Sequence, residues 1–270
     1  MLMMEEMPSP YRYNNLNKKI DIIGDVHGCM RELEEIFKTM GYNYNNIWEH
    51  EGRIPAFCGD LTDRGYKSIE VSELIIKMVK NNKGIYVIGN HCDKLYRYLK
   101  GSKVKINNGL ETTVHEFENL DKNRMENFRR DFIWLYESSS FYVVLDNGKL
   151  IVSHGGVKEE MIGKLGGRVR KQCLYGDITG EKDEQGYPIR ENWFLDYRGN
   201  ALNIYGHTPC IESKVIHNTL NVDGGCVFGG ELRAFRYPEN KLIKVKSYMK
   251  HDEEAFRRME KYQKALASMI

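Results

Sequence analysis

The chain lacks an apolar run long enough to cross a bilayer as a helix, so a transmembrane span is not expected. It lacks a Cys-x-x-Cys pair, and its six cysteines (Cys29, Cys58, Cys92, Cys173, Cys210 and Cys226) are scattered. A chain of 270 residues needs no disulfide staples, so these read as reduced thiols of a cytoplasmic protein. Neither sign of charge is in excess: 40 basic against 38 acidic residues leave a formal +2, which gives no footing for coating nucleic acid or a membrane surface. The N-terminus carries Glu5 and Glu6 where a secretion signal carries Lys or Arg. No linker rich in Pro, Gly or Ser divides the chain, so one domain is expected. Apolar residues make up 41% of the sequence, enough for a substantial core.

Short apolar runs that stop abruptly at a polar, glycine-containing cluster recur along the sequence. They are IDIIGD (Ile20–Asp25), PAFCGD (Pro55–Asp60), GIYVIGN (Gly84–Asn90), LIVSH (Leu150–His154) and ALNIYGH (Ala201–His207). Runs of this length read as buried strands. Met30, Leu33, Phe37 and Met40 then share a helical face, as do Ile69, Leu74, Ile75, Met78 and Val79, and again Met125, Phe128, Phe132 and Leu135. Strand, polar loop and helix in repetition specify an α/β sheet with helices outside, and ligands of such sheets bind beyond the carboxyl ends of the strands. Residues 215–247 change character and predict glycine-turned hairpins, so the order of elements favours two packed sheets over one doubly wound sheet. Gly176–Arg198 is polar and reads as a long loop. Residues 1–18 are expected to be a flexible leader and 248–270 a helical tail.

The polar clusters hold the chemistry. Asp25 and His27 stand two apart in GDVHG; Asp60, Asp63 and Arg64 share GDLTDRG; Asn90 and His91 follow Gly89; His154 and His207 each close a strand. Mixed carboxylate, imidazole and amide donors suit divalent first-row metals rather than calcium. A carboxylate that bridges two such ions makes a hydrolytic centre. Each motif alone is weak, and His50, His115, His217 and His251 read as surface or packing residues. The ordered set is specific. Cys92 after Asn90-His91, and Cys29 after the first motif, read as small buried side chains. Lys94, Tyr96, Arg97, Tyr98, Lys100, Lys103 and Lys105 either hold a polyphosphate or stack a base, or form a solvated helix face.

GDVHG, GDLTDRG and GNH resemble the three signatures of the calcineurin-like metallophosphoesterases, in the phosphoprotein-phosphatase-type branch. The longer strings GNHCDKLYRYLKG, NGLETT, LYGDITGE, YGHTP and NVDGGCVFGGEL are similar to the bacterial asymmetrical bis(5′-nucleosyl)-tetraphosphatases of that branch, and also to the phosphatase module of polynucleotide kinase-phosphatases. The resemblance covers about residues 19–247 and implies an α/β, four-layer sandwich of two mixed β-sheets flanked by helices. It implies Asp25 and His27 on a first metal, Asp60 bridging, and Asn90, His154 and His207 on a second. It implies His91 as the acid that protonates the leaving oxygen, Asp63 as its orienter, and Arg64 on the phosphate, with Arg198 or Arg170 as candidates for a second arginine. Two divalent ions are expected, manganese foremost, with nickel, iron, zinc or cobalt suited by the same donors. The implied substrate is diadenosine tetraphosphate, cleaved to ATP and AMP. A phosphoprotein, or an RNA end as the sole use of nucleic acid, are the competing substrates.

Overall fold

The computed structural model describes residues 18–182 and 188–269. Its strands are β1 (Lys19–Ile23), β2 (Asn43–Asn45), β3 (Ile47–Glu49), β4 (Arg53–Phe57), β5 (Ile85–Tyr86), β6 (Tyr142–Leu145), β7 (Leu150–Ser153), β8 (Ile178–Lys182), β9 (Pro188–Arg190), β10 (Leu202–Tyr205), β11 (Val215–Ile216), β12 (Thr219–Asn221), β13 (Glu231–Tyr237) and β14 (Lys241–Lys246). Its α-helices are α1 (Met30–Thr39), α2 (Ser68–Lys80), α3 (Asn90–Leu99), α4 (Leu110–Glu118), α5 (Lys122–Ser138), α6 (Gly167–Tyr175) and α7 (Glu253–Ala267). None of these is long and apolar enough to cross a membrane.

Two five-stranded mixed sheets form, in the orders β14-β13-β1-β4-β5 and β11-β12-β10-β7-β6. In the first, β1, β4 and β5 run parallel, with Ile22 opposite Ala56, and β13 closes antiparallel on β1, with Ile22 opposite Phe235. In the second, β7, β10 and β12 run parallel. Alternation along the strands explains the layers. Ile20 and Ile22 of β1, Ile54 and Ala56 of β4, Leu150 and Val152 of β7 and Ile204 of β10 face one another between the sheets. Ile23 and Phe57 point the other way, into a core shared with Leu33, Ile36 and Phe37 of α1, Ile75 and Met78 of α2 and Phe128 and Phe132 of α5. Ile151 and Tyr142 pack outward with Val169 and Cys173 of α6. Strands buried on both faces read as continuous apolar runs, which is why their motifs end so sharply. Burying Phe37 alone contributes about 1.5–3 kcal/mol.

The five expected strands all appear and begin within two residues of their sequence limits, but β4 and β5 end three and four residues early, because the polar clusters that close those runs leave the sheet; the three expected helices are α1, α2 and α5. Residues 215–247 form the hairpins β11–β12 and β13–β14. The segment expected as a loop, Gly176–Arg198, instead carries the β8–β9 hairpin and a 3-10 turn at Trp193–Leu195 whose Trp193 and Phe194 are buried. In the tail, α7 is a helix capped by Asp252, which accepts from Ala255 N at 2.9 Å. Residues 1–17 of the expected leader lie outside the described residues.

Candidate active site

Five loops converge at the carboxyl ends of β1, β4, β5, β7 and β10, three from one sheet and two from the other. Backbone bonds join them. Val26 N and His27 N both donate to Asp60 O, at 2.9 and 3.0 Å, and Gly28 N donates to Leu61 O at 2.8 Å. His91 N donates to Asp60 Oδ1 at 2.9 Å, Gly206 N to His154 O at 2.8 Å, and His207 N to Asp25 Oδ2 at 2.6 Å. The fit depends on glycine at two contacts: a Cβ on Gly65 would lie 1.9 Å from His27 O, and one on Gly89 2.1 Å from Asp60 Oδ1. His27, Asp63, Arg64 and His207 all have left-handed backbone, with φ of 45, 78, 70 and 69°. Such conformations cost of order 1–3 kcal/mol each and persist where the surroundings over-determine them.

The side chains form one buried cluster. His154 Nε2 lies 2.9 Å from Asn90 Oδ1, 2.9 Å from His207 Nδ1 and 3.3 Å from Asp60 Oδ2. His27 Nε2 stands 3.8 Å from Asp60 Oδ2. Ligand-capable atoms of His27, Asp60 and His91 lie within 4.8 Å of one another, as do those of Asp60, His154 and His207. The outer nitrogens of two rings are occupied, His27 Nδ1 by Thr62 O at 2.6 Å and His154 Nδ1 by Cys58 O at 2.9 Å, which turns both Nε2 atoms inward. Burial, with the charges of Arg64 and His91, lowers His27 to about 4, so its ring is neutral and its inward nitrogen carries a lone pair. Burial, Arg190 and His154 likewise hold His207 well down. Burial opposes charge on His154, but Asp60 and Asp25 outweigh it and hold the ring well above its ordinary range.

The donors fit divalent cations on the structure's own terms. Asp25 Oδ1 and His207 Nε2 are buried and have no hydrogen-bond partner among the described residues. Asp25 Oδ1 is 3.2 Å from His154 Nδ1, but that nitrogen's proton is directed to Cys58 O. Lone pairs of carboxylate, amide and imidazole therefore crowd one another with too few protons among them, a costly arrangement unless cations meet it.

Beside the cluster, His91 Nδ1 meets Asp63 Oδ2 at 2.6 Å. Asp63 is held in turn by Thr113 Oγ1, which donates to Oδ1 at 2.7 Å, while Asp63 N donates to Ser68 Oγ and Thr113 Oγ1. Arg64 Nη1 donates to His27 Nε2 at 2.9 Å. All nine residues named from the three motifs and the two strand-end histidines thus stand together. The two arginine candidates do not join them. Arg198 donates to the carbonyls of Leu195 and Tyr197 and meets His217, because it caps the 3-10 turn. Arg170 pairs with Asp93 at 2.6 Å. The arginine found at the edge is Arg190, on β9: its guanidinium donates to Tyr175 O, and its charge reaches His207. Asp223, just past β12, is also at the site, where burial and the adjacent Asp25 push its carboxyl well up. Thr113, Arg190 and Asp223 escaped the sequence reading; NGLETT and NVDGG were visible as strings but offered no role. Cys92 is a buried acceptor for Leu61 N at 3.4 Å, and burial raises its thiol to about 12. His50, His115, His217 and His251 have partners elsewhere.

Residues 18–231 match the family described as calcineurin-like phosphoesterase. The chain is 48% identical over 243 residues to the asymmetrical bis(5′-nucleosyl)-tetraphosphatase PrpE of Anoxybacillus flavithermus, covering 88% of this chain and 98% of that one. It is 46% identical to the protein of the same name from Bacillus subtilis, with the same coverage. In fold it is similar to a protein serine/threonine phosphatase from Saccharomyces cerevisiae, with a TM-score of 0.59 at 17% identity, over 89% of this chain and 84% of that one. Sequence match, strand-end cluster and twin mixed sheets agree: the chain belongs to the calcineurin-like phosphoesterases.

Proposed function

We propose that this phosphohydrolase cleaves dinucleoside tetraphosphates asymmetrically, diadenosine tetraphosphate giving ATP and AMP. The observation that carries the reading is identity of 46–48% with relatives of that name along nearly their whole length. The family implies a pair of divalent cations, and the donor set fits them. Asp25 and His27 would hold one, Asn90, His154 and His207 the other, with Asp60 shared; manganese is the ion we propose. Bound divalent cations supply an acidified water and neutralise phosphate charge.

The chain's own groups do the rest. Asp63 fixes His91 Nδ1, so Nε2 faces the reactants and delivers a proton to the leaving oxygen. Thr113 keeps Asp63 turned to His91. Arg64 offers a planar fork to the phosphate from one side, and Arg190, in place of Arg198, from the other.

Product analysis tests the reading. Manganese-loaded protein receives diadenosine tetraphosphate, a phosphopeptide, or an RNA ending in a 2′,3′-cyclic phosphate in separate reactions, and products are separated by chromatography. Equimolar ATP and AMP are expected. An intact dinucleotide beside brisk release from peptide or RNA overturns the substrate.

A further inference from the structure

Among the described residues, four cationic side chains beside the catalytic cluster have no carboxylate partner. The Arg64 guanidinium donates to His27, Lys94 Nζ to Asn107 O and Oδ1 at 2.7 Å each, and Arg190 to the Tyr175 carbonyl. The exposed Arg97 side chain has no hydrogen bond or ion pair to a described residue. Arg170, by contrast, is already neutralised by Asp93. Four open cations exceed what the two charges of a phosphate monoester call for, and they suit a polyanion.

Their distribution is uneven. Lys94 and Arg97 follow His91 on successive turns of α3, about 4.5 and 9 Å along its axis. Arg64 joins them through the chain that links Asp63 to His91, and Lys94 lies in the field of Asp63, Glu111, Arg64 and Arg97. The Lys94 bonds to Asn107 draw the loop after α3 back over this face, and Arg64 N fixes the loop's far end at Gly109 O. The charge of Arg97 is felt at Tyr175, as is that of Asp60. Among these four, Arg190 is the one whose charge is felt at His207.

We infer that Arg64, Lys94 and Arg97 form a strip for the departing nucleoside triphosphate, and that this strip makes the cleavage asymmetric. The inference rests on the proposed tetraphosphatase activity. Water adds to the phosphorus that becomes AMP, and the bond from that phosphorus to the bridging oxygen breaks. The bridging oxygen leaves with ATP and receives the His91 proton. The departing chain of three phosphates runs from Arg64, which also meets the retained phosphate, along Lys94 and Arg97; Arg190 meets the retained phosphate from its other side.

Hydrolysis of diadenosine tetraphosphate in ¹⁸O-water tests the direction: label is expected in AMP, and label in ATP overturns the inference, because AMP would then be the leaving group. Lys94→Ala and Arg97→Ala test the residues, with manganese in excess. Each is expected to lower kcat/KM for the dinucleotide about tenfold or more, as for loss of a hydrogen bond to a charged group, and to lower that for p-nitrophenyl phosphate much less. Inorganic tripolyphosphate should inhibit p-nitrophenyl phosphate hydrolysis by wild type, and these variants should weaken that inhibition by a similar factor. Arg97→Lys should recover most of the loss, since a point charge still meets phosphate. Equal losses on both substrates, or unchanged inhibition by tripolyphosphate, overturn the strip. If wild type leaves the dinucleotide intact, the proposed function fails, and the tripolyphosphate comparison still decides whether the strip binds a polyphosphate.

Discussion

At His91, proposed as the acid, the ring is oriented by its neighbours: Asp63 takes Nδ1 at 2.6 Å and Thr113 takes the second oxygen of Asp63 at 2.7 Å. His91→Ala should therefore keep its metal, measured by elemental analysis, and lose about 10²–10⁴-fold in kcat, most for poor leaving groups. Wild-type turnover of an alkyl phosphate by this variant would remove His91 from the acid role. Asp60→Asn should fail differently, because Asp60 meets both groups of donors. Metal content and activity should fall together by more than about a hundredfold, since even outer partners of a ligand cost about 10–100-fold. The motif residues were legible because few side chains offer lone pairs to a borderline cation, and five strands ended in them. Thr113 was not legible. A hydroxyl that reaches Asp63 from 50 residues away leaves no local pattern, and Arg190 lay in a stretch with no apolar alternation to place it.

Among the elements, α2 begins without a capping side chain of its own. Glu116 of α4 supplies the cap from a distance, its two oxygens accepting Ser68 N and Ile69 N at 3.0 Å each. Ser68 Oγ meanwhile accepts from Asp63 N, so this cap also steadies the residue that orients His91. Glu116→Ala should cost about 1–2 kcal/mol in urea unfolding, the range for a lost helix cap, and Glu116→Gln less, because one acceptor survives. Equal stability of Glu116→Ala and wild type would show that water replaces the cap. Helices α1, α2 and α5 were legible from apolar spacing because each buries one stripe, α1 and α2 against the first sheet and α5 against α2 and α3. The β8–β9 hairpin was not, since β8 is exposed along nearly its whole length and so has no inward face to mark.

The whole molecule is closed by strands from opposite ends of the chain. Beside the pairing of β13 with β1, Asp21 is buried between Arg53 and Arg236, and Glu239 accepts from Lys19 and Arg53. Hydrogen bonds from Lys19 and Arg53 lower Glu239 to about 2. A depressed carboxyl favours the fold fully above its ordinary 4.5, and that contribution fades as pH falls toward 2. Glu239→Gln should therefore be less stable than wild type at neutral pH, by about 1 kcal/mol or less for so exposed a pair, and the two melting curves should converge near pH 2. A gap that persists there would assign the loss to packing. Two mixed sheets were legible because the hairpin region follows the strand–helix repeats, while the insertion of β13 next to β1 was invisible to any local pattern. That insertion has a consequence for synthesis. A nascent chain leaving the ribosome exposes Asp25 and Asp60 long before β13 emerges to cover the open flank of β1. The flank of β1, the strand that carries Asp25, therefore stays unpaired until residues 231–237 have been made, later than His207, the last donor of the cluster.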